Sequence, residues 1–137
     1  MKILVGYDGS AESKRALEWA ARIAAGDKEG IVTVIGVATA LEAAPPIRDA
    51  VDPSEDVPLR QAQLDEAAAV LAEAGVASRT VFKAGRPAEE ILDTADEGSF
   101  DLIVIGHRGM TRAQRFLMGS VSERVVRHAS RPVLVAR

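Results

Sequence analysis

The chain contains no cysteine, which removes disulfides, thiol redox chemistry and thiolate metal sites. Histidine occurs only as His107 and His128, too few to build a multi-histidine metal centre. Aromatic residues are sparse: Tyr7, Trp19, Phe82, Phe100 and Phe116 are the whole set. Platforms for stacking single-stranded nucleic acid are therefore scarce. No apolar run approaches the roughly 18 residues that cross a bilayer, and the apolar run within the opening MKILVGYDGS is too short for a signal peptide. These absences imply a cytoplasmic location with no membrane partner. There is also no internal repeat and no low-complexity tract.

What is present is ordinary for a globular protein: 47% hydrophobic and 27% charged residues over 137 positions. That length suits one domain, residues 1–137, with a core large enough to need no staples. Charge is less ordinary. The net charge is −3, yet residues 1–105 sum to −9 and residues 106–137 to +6, with Arg108, Arg112, Arg115, Arg124, Arg127, Arg131 and Arg137 opposed only by Glu123. A local positive field of this kind would attract an anionic ligand. With the whole chain acidic and poor in rings, no nucleic acid is expected as partner.

Strand and helix patterns alternate. KILVGY at 2–7 is a short apolar run stopped by Asp8-Gly9-Ser10, as for a buried strand. Ser10 suits the N-cap of a helix over 11–25, with Ala16, Leu17, Ala20, Ile23 and Ala24 on one face and Gly26 as its stop. IVTVIGVA at 31–38 reads as a central strand. Between Thr39 and Val57 the pattern lapses into prolines and acids, and a connection that long is either mobile or a lid. A helix is expected over 58–74, an edge strand over 76–83, and a short helix from Pro87 to about Glu97. Residues 101–105 give a strand, 121–129 a helix and 132–136 a last strand. Five such alternations imply an α/β protein with a five-stranded parallel sheet covered on both faces. Ligands of such sheets bind at the carboxyl ends of the strands, at a topological switch point.

The stretch DLIVIGHRGMTRAQRFLMGSVS, residues 101–122, holds the pattern G-x2-G-x9-G-S in Gly106, Gly109, Gly119 and Ser120. It is neither a Walker A loop, which ends in G-K-[ST], nor the Rossmann G-x-G-x-x-G, which follows the first strand. On spacing alone the glycines serve equally as loop punctuation or as a phosphate cradle opening onto a helix N-terminus. Ser120-Val121-Ser122-Glu123 has the form of a capping box with Ser120 as the cap. Asp8 either bonds its own turn or reaches a ligand. His107 has no partner acid or nucleophile nearby in sequence, so no catalytic residue is assigned.

The opening MKILVGYDGSxxS, the strand and turn DLIVIGHRG, the glycine loop and the closing SVSERVVRHASRPVLV together closely resemble the universal stress protein family, over essentially the whole chain. The resemblance implies a flavodoxin-like, Rossmann-like α/β/α sandwich with strand order 3-2-1-4-5. It implies the subgroup that binds ATP through this loop, and a homodimer formed by the last strand, residues 132–136, from Pro132 at its start to Ala136 at its end. Carried over position by position, it gives Asp8 the adenine and ribose side and Val37 a backbone contact with adenine, with Gly36 and Ala38 as neighbouring alternatives. Gly106 and Gly109 take ribose and phosphate, and Gly119, Ser120 and Val121 take phosphate. Arg112 and Arg115 are auxiliary charges.

The function implied is an ATP-binding, dimeric regulator of stress adaptation. A weak ATPase or phosphotransferase is the enzymatic alternative, since the loop carries arginines but no evident water-positioning acid. A non-catalytic dimeric scaffold is the other. The residues do not decide whether Mg2+ accompanies the phosphates.

Overall fold

The computed structural model describes residues 1–39, 53–108 and 118–137. In chain order the elements are β1 (Lys2–Gly6), α1 (Ala11–Ala25), β2 (Ile31–Thr39), α2 (Pro53–Glu73), β3 (Ala77–Gly85), α3 (Pro87–Glu97), β4 (Leu102–Gly106), α4 (Ser120–His128) and β5 (Val133–Ala136). The strands form one sheet in the order β3-β2-β1-β4-β5, and every pairing is parallel. The expected strand order and the expected edge position of the third strand are both observed.

The apolar run of β1 follows from its place at the centre. Ile3, Leu4 and Val5 are all 0% exposed, because successive side chains leave opposite faces of a strand and both faces are covered. Ile3 and Val5 join Leu17 and Ala20 of α1 and Leu64 and Leu71 of α2 in one core layer. Leu4 joins Ile91 of α3 and Val125 of α4 in the other. Burying a leucine such as Leu64 contributes about 1.5–3 kcal/mol, whereas the exposed Lys14–Glu66 ion pair at 3.4 Å, which links α1 to α2, falls in a class worth roughly 0.2–1 kcal/mol. Apolar burial therefore holds the layers together.

Several element ends differ from expectation by a residue or more, β3 (Ala77–Gly85) among them, and three have a plain physical reason. β2 runs on to Thr39 and β4 to Gly106, one residue further than the apolar runs suggest. Register explains both: Thr39 pairs Gly85 and Gly106 pairs Ala136, so each added residue has a ladder partner. α2 begins at Pro53 rather than at 58 and holds Pro58 within it; helix starts accept proline and acids, which in sequence look like linker. Of the connection expected between Thr39 and Val57, Thr39 thus closes β2 and 53–57 belong to α2, while 40–52 lie outside the described residues.

Because all strands are parallel, the carboxyl ends of β1, β2 and β4 share one edge. From β1 the chain moves to β2 on one side, while β4 lies on the other. The switch point is the crevice between these ends.

Candidate functional site

At β1 the chain leaves the sheet through Tyr7, Asp8 and Gly9. The Asp8 carboxylate accepts from the Ser10 amide at 2.9 Å, and Ser10 Oγ accepts from the Ser13 amide at 3.1 Å, capping α1 as expected. Tyr7 is buried. Burial pushes its phenol up from the usual value, and the Glu66 and Asp8 carboxylates add to that, so the ring stays neutral.

At β4 the strand ends on Gly106. A Cβ there would lie 2.8 Å from the Glu12 carbonyl carbon and 3.0 Å from the Ser13 amide nitrogen. Only glycine lets the start of α1 pass this close. Further along, the two ends of the glycine stretch are tied together. The Gly119 amide donates to the His107 carbonyl at 2.9 Å, and buried Ser122 Oγ donates to the Gly106 carbonyl at 2.6 Å. The His107 amide in turn donates to the Ala136 carbonyl at 2.6 Å. His107 thus acts structurally through its backbone.

The capping box is not formed. The N-cap of α4 is Gly119, without a side-chain cap bond, and Ser120 is the first helical residue. Ser120 is exposed. The reason is that Ser122, two positions later, is drawn inward to Gly106, which sets the helix one residue earlier than the S-x-x-E pattern suggests. The amides of Ser120, Val121 and Ser122 occupy the first turn, where no intrahelical acceptor exists.

These two turns face a cavity of about 300 Å³, at the lower end of the roughly 300–1,000 Å³ range of small-molecule pockets. Asp8, Val37, Gly106, Gly119, Ser120 and Val121 all line it. Gly109, Arg112 and Arg115 lie outside the described residues. Among the strand-two alternatives, Val37 faces the cavity, whereas Gly36 faces the Leu64 side chain of α2, 3.2 Å from where a Cβ would stand.

Sequence reading missed several of the cavity's walls. Pro87 and Ile91 of α3 supply an apolar side and Arg60 of α2 a cationic one. Arg60 was detectable: the apolar stripe of α2 at 64, 67, 68 and 71 extends back one turn to position 60, where a cation on an otherwise inward face is out of pattern. Ser122 had no separate signal, because its hydroxyl was hidden inside an apparent capping box.

The basic segment is also less of a field than its sum implies. Arg124 pairs with Glu89 at 2.7 Å, Arg127 with Glu123 at 2.8 Å and Arg131 approaches Asp96 at 3.9 Å. None of these three lines the cavity; Arg108 does. Asp8 is the one carboxylate among the described lining residues. No cluster of three or more metal-ligating side chains occurs among the described residues, and none of their helices is long and apolar enough to cross a membrane.

The sequence profile described as the universal stress protein family matches residues 1–137. The chain belongs to the universal stress protein family. Among its relatives in that family, universal stress protein YxiE of Bacillus subtilis is 33% identical, over 99% of this chain and 98% of the relative. A solved universal stress protein from Archaeoglobus fulgidus superposes with a TM-score of 0.81 at 26% identity, over 100% of this chain and 98% of that one. Another, the universal stress protein from Archaeoglobus fulgidus in complex with dAMP, gives a TM-score of 0.75 at 27% identity, again over 100% and 98%. The strand order and layers described above are those of the family's Rossmann-like fold.

Proposed function

We propose that this universal stress protein binds an adenine nucleotide, ATP, in the crevice between β1 and β4, and acts as a dimeric, nucleotide-dependent regulator that holds ATP more than it consumes it. The observation that carries the proposal is the convergence on one cavity of Asp8, Val37, Gly106 and the start of α4. The similar fold solved with dAMP supports the same ligand class.

The ends of the cavity suit different parts of a nucleotide. The first-turn amides of α4 form an anion-favouring terminus, with the Arg108 cation beside it; phosphates belong there. Val37 at the end of β2, together with Pro87 and Ile91 of α3, offers apolar surface, where a base belongs, with Asp8 at the end of β1 for the ribose. Charge-assisted bonds from backbone amides are roughly twice as strong as neutral ones, so the phosphate end supplies most of the directional binding. A magnesium ion would enter on the phosphates, as Mg2+ commonly does when a protein offers few carboxylates.

The dimer reading rests on β5. It pairs β4 on one side through Ile103↔Val133 to Gly106↔Ala136, and among the described residues no strand lies on its other side. An exposed edge of this kind is a template for a partner strand.

Calorimetric titration with ATP, together with a check for adenine nucleotide carried through purification, tests the ligand. Binding at or below millimolar ATP is expected, and its absence overturns the proposal. Time-resolved ADP release tests the regulatory reading, since turnover well above buffer would make the protein an ATPase. Sedimentation at micromolar protein should give a dimer.

A further inference from the structure

We infer that Arg60 is a base-side residue of the cavity, its guanidinium plane lying over the nucleobase and away from the phosphates. The inference rests on the nucleotide reading above and adds to it a residue in α2, outside the glycine loop.

The placement follows from the layers. α2 packs on the sheet in the same layer as α1, through Leu64, Ala67 and Leu71. Ile91 of α3 belongs to the opposite layer. Both Arg60 and Ile91 nevertheless line the one cavity. They reach it across the carboxyl edge of the sheet from opposite sides, so a flat group between them has an apolar wall on one face and a guanidinium on the other.

Position along the sheet separates the entry of Arg60 from the phosphate end. Leu64, one turn on from Arg60, lies against Gly36 of β2, whereas α4 follows β4, and β1 stands between β2 and β4. Arg60 therefore enters the cavity from the β2 side and Arg108 from the end of β4. The guanidinium is also held: Arg60 Nη1 donates to Gln63 Oε1 at 3.3 Å, and the Gln63 amide lies over the turn after β1, with its Nε2 2.8 Å from where a Gly9 Cβ would be.

Arginine fits this task better than lysine. Its planar, weakly hydrated group stacks on aromatic faces, while an ammonium acts as a hydrated point charge. Summing charge by segment hides Arg60, because it lies in the acidic part of the chain.

The test is a calorimetric ladder of adenosine, AMP, ADP and ATP at fixed ionic strength on the wild-type protein, Arg60→Ala and Arg60→Lys, with circular dichroism to verify the fold of each. Arg60→Ala should weaken every ligand by the same factor, about 3- to 30-fold. Arg60→Lys should lose most of that too, having kept the charge but not the plane. A loss that grows with the number of phosphates would place Arg60 on the phosphates and overturn the inference. So would unchanged affinity in both variants, or full rescue by lysine. If the wild-type protein binds none of the four, the nucleotide reading itself fails; wild-type binding with unaffected variants removes only the role of Arg60.

Discussion

Of the helices that start at the carboxyl edge of the sheet, α1 after β1 and α4 after β4 flank the crevice, and their N-termini are finished in opposite ways. At α1 the Ser10 hydroxyl occupies the Ser13 amide, and the Asp8 carboxylate occupies the Ser10 amide just before it. That terminus takes its cap from within the chain. At α4 the cap is Gly119, which brings no side chain, while the Ser122 hydroxyl turns inward to the Gly106 carbonyl. This contrast sets where a ligand can act. A helix whose first turn is already capped is a wall, and here α1 is the wall against which Gly106 packs. A helix capped by glycine leaves its amides for something that arrives.

The largest expected effect comes from breaking the wall. Gly106→Ala would push a methyl group to 2.8 Å from the Glu12 backbone. Overpacking of this kind costs typically about 1–3 kcal/mol, visible as a lower denaturant midpoint with unchanged slope. If stability is unaffected, the contact between the two turns is looser than described and Gly106 serves only a ligand.

Next in size is closing the open terminus. Gly119 has φ −63° and ψ 155°, extended values that any residue adopts, so a side chain there disturbs the backbone little. Its Cβ would stand 3.3 Å from the Arg108 Cα, a tight but tolerable contact. Gly119→Asp gives α4 the kind of cap α1 already has and adds negative charge where phosphate should bind. Affinity for ATP should fall tenfold or more, about 1.4 kcal/mol, with helix content retained by circular dichroism. Gly119→Ala, which adds bulk without a cap, should lose less than the aspartate. Equal affinity in wild type and Gly119→Asp would show that the α4 terminus takes no part.

The two turns also differ in how far they could be read in the sequence. Ser10 was legible as a cap because one local rule governs it: a serine before an apolar helical stripe. The layers were legible because β1, β2 and β4 are nearly all apolar, and the strand order because the family resemblance spans the chain. The start of α4 was misread because two rules competed. S-x-x-E favours Ser120 as the cap, yet a tertiary hydrogen bond from Ser122 to Gly106, sixteen residues away, decides the matter, and no local pattern contains it. Arg60 escaped for a related reason, since a charge summed along the sequence carries no information about which helix face points at a cavity.

A smaller effect should follow from opening the closed terminus. Ser10→Ala removes the acceptor of the Ser13 amide at a buried position. Loss of an N-cap serine costs about 1 kcal/mol, measurable by urea denaturation. The Ser13 hydroxyl bond to the Ser10 carbonyl at 3.0 Å survives the change, which keeps the loss near that figure. A loss of several kcal/mol would mean that the cap supports more of the turn than α1 alone.

The smallest expected effect distinguishes local from long-range charge at the open terminus. Arg124 sits at the middle of α4, close in sequence to the proposed phosphate amides, and counts toward the +6 of the last segment. Its guanidinium, however, pairs with Glu89 of α3 at 2.7 Å, with the arginine side chain 55% exposed. Pairs this exposed are worth about 0.2–1 kcal/mol, and screening shortens their reach to about 8 Å at physiological salt. Arg124→Ala should therefore lower stability by less than about 1 kcal/mol and change ATP affinity less than twofold at that salt. An affinity loss approaching that of Gly119→Asp would mean that the phosphate is held by the summed field of the basic segment, and the contrast between a capped and an uncapped helix would no longer explain the site.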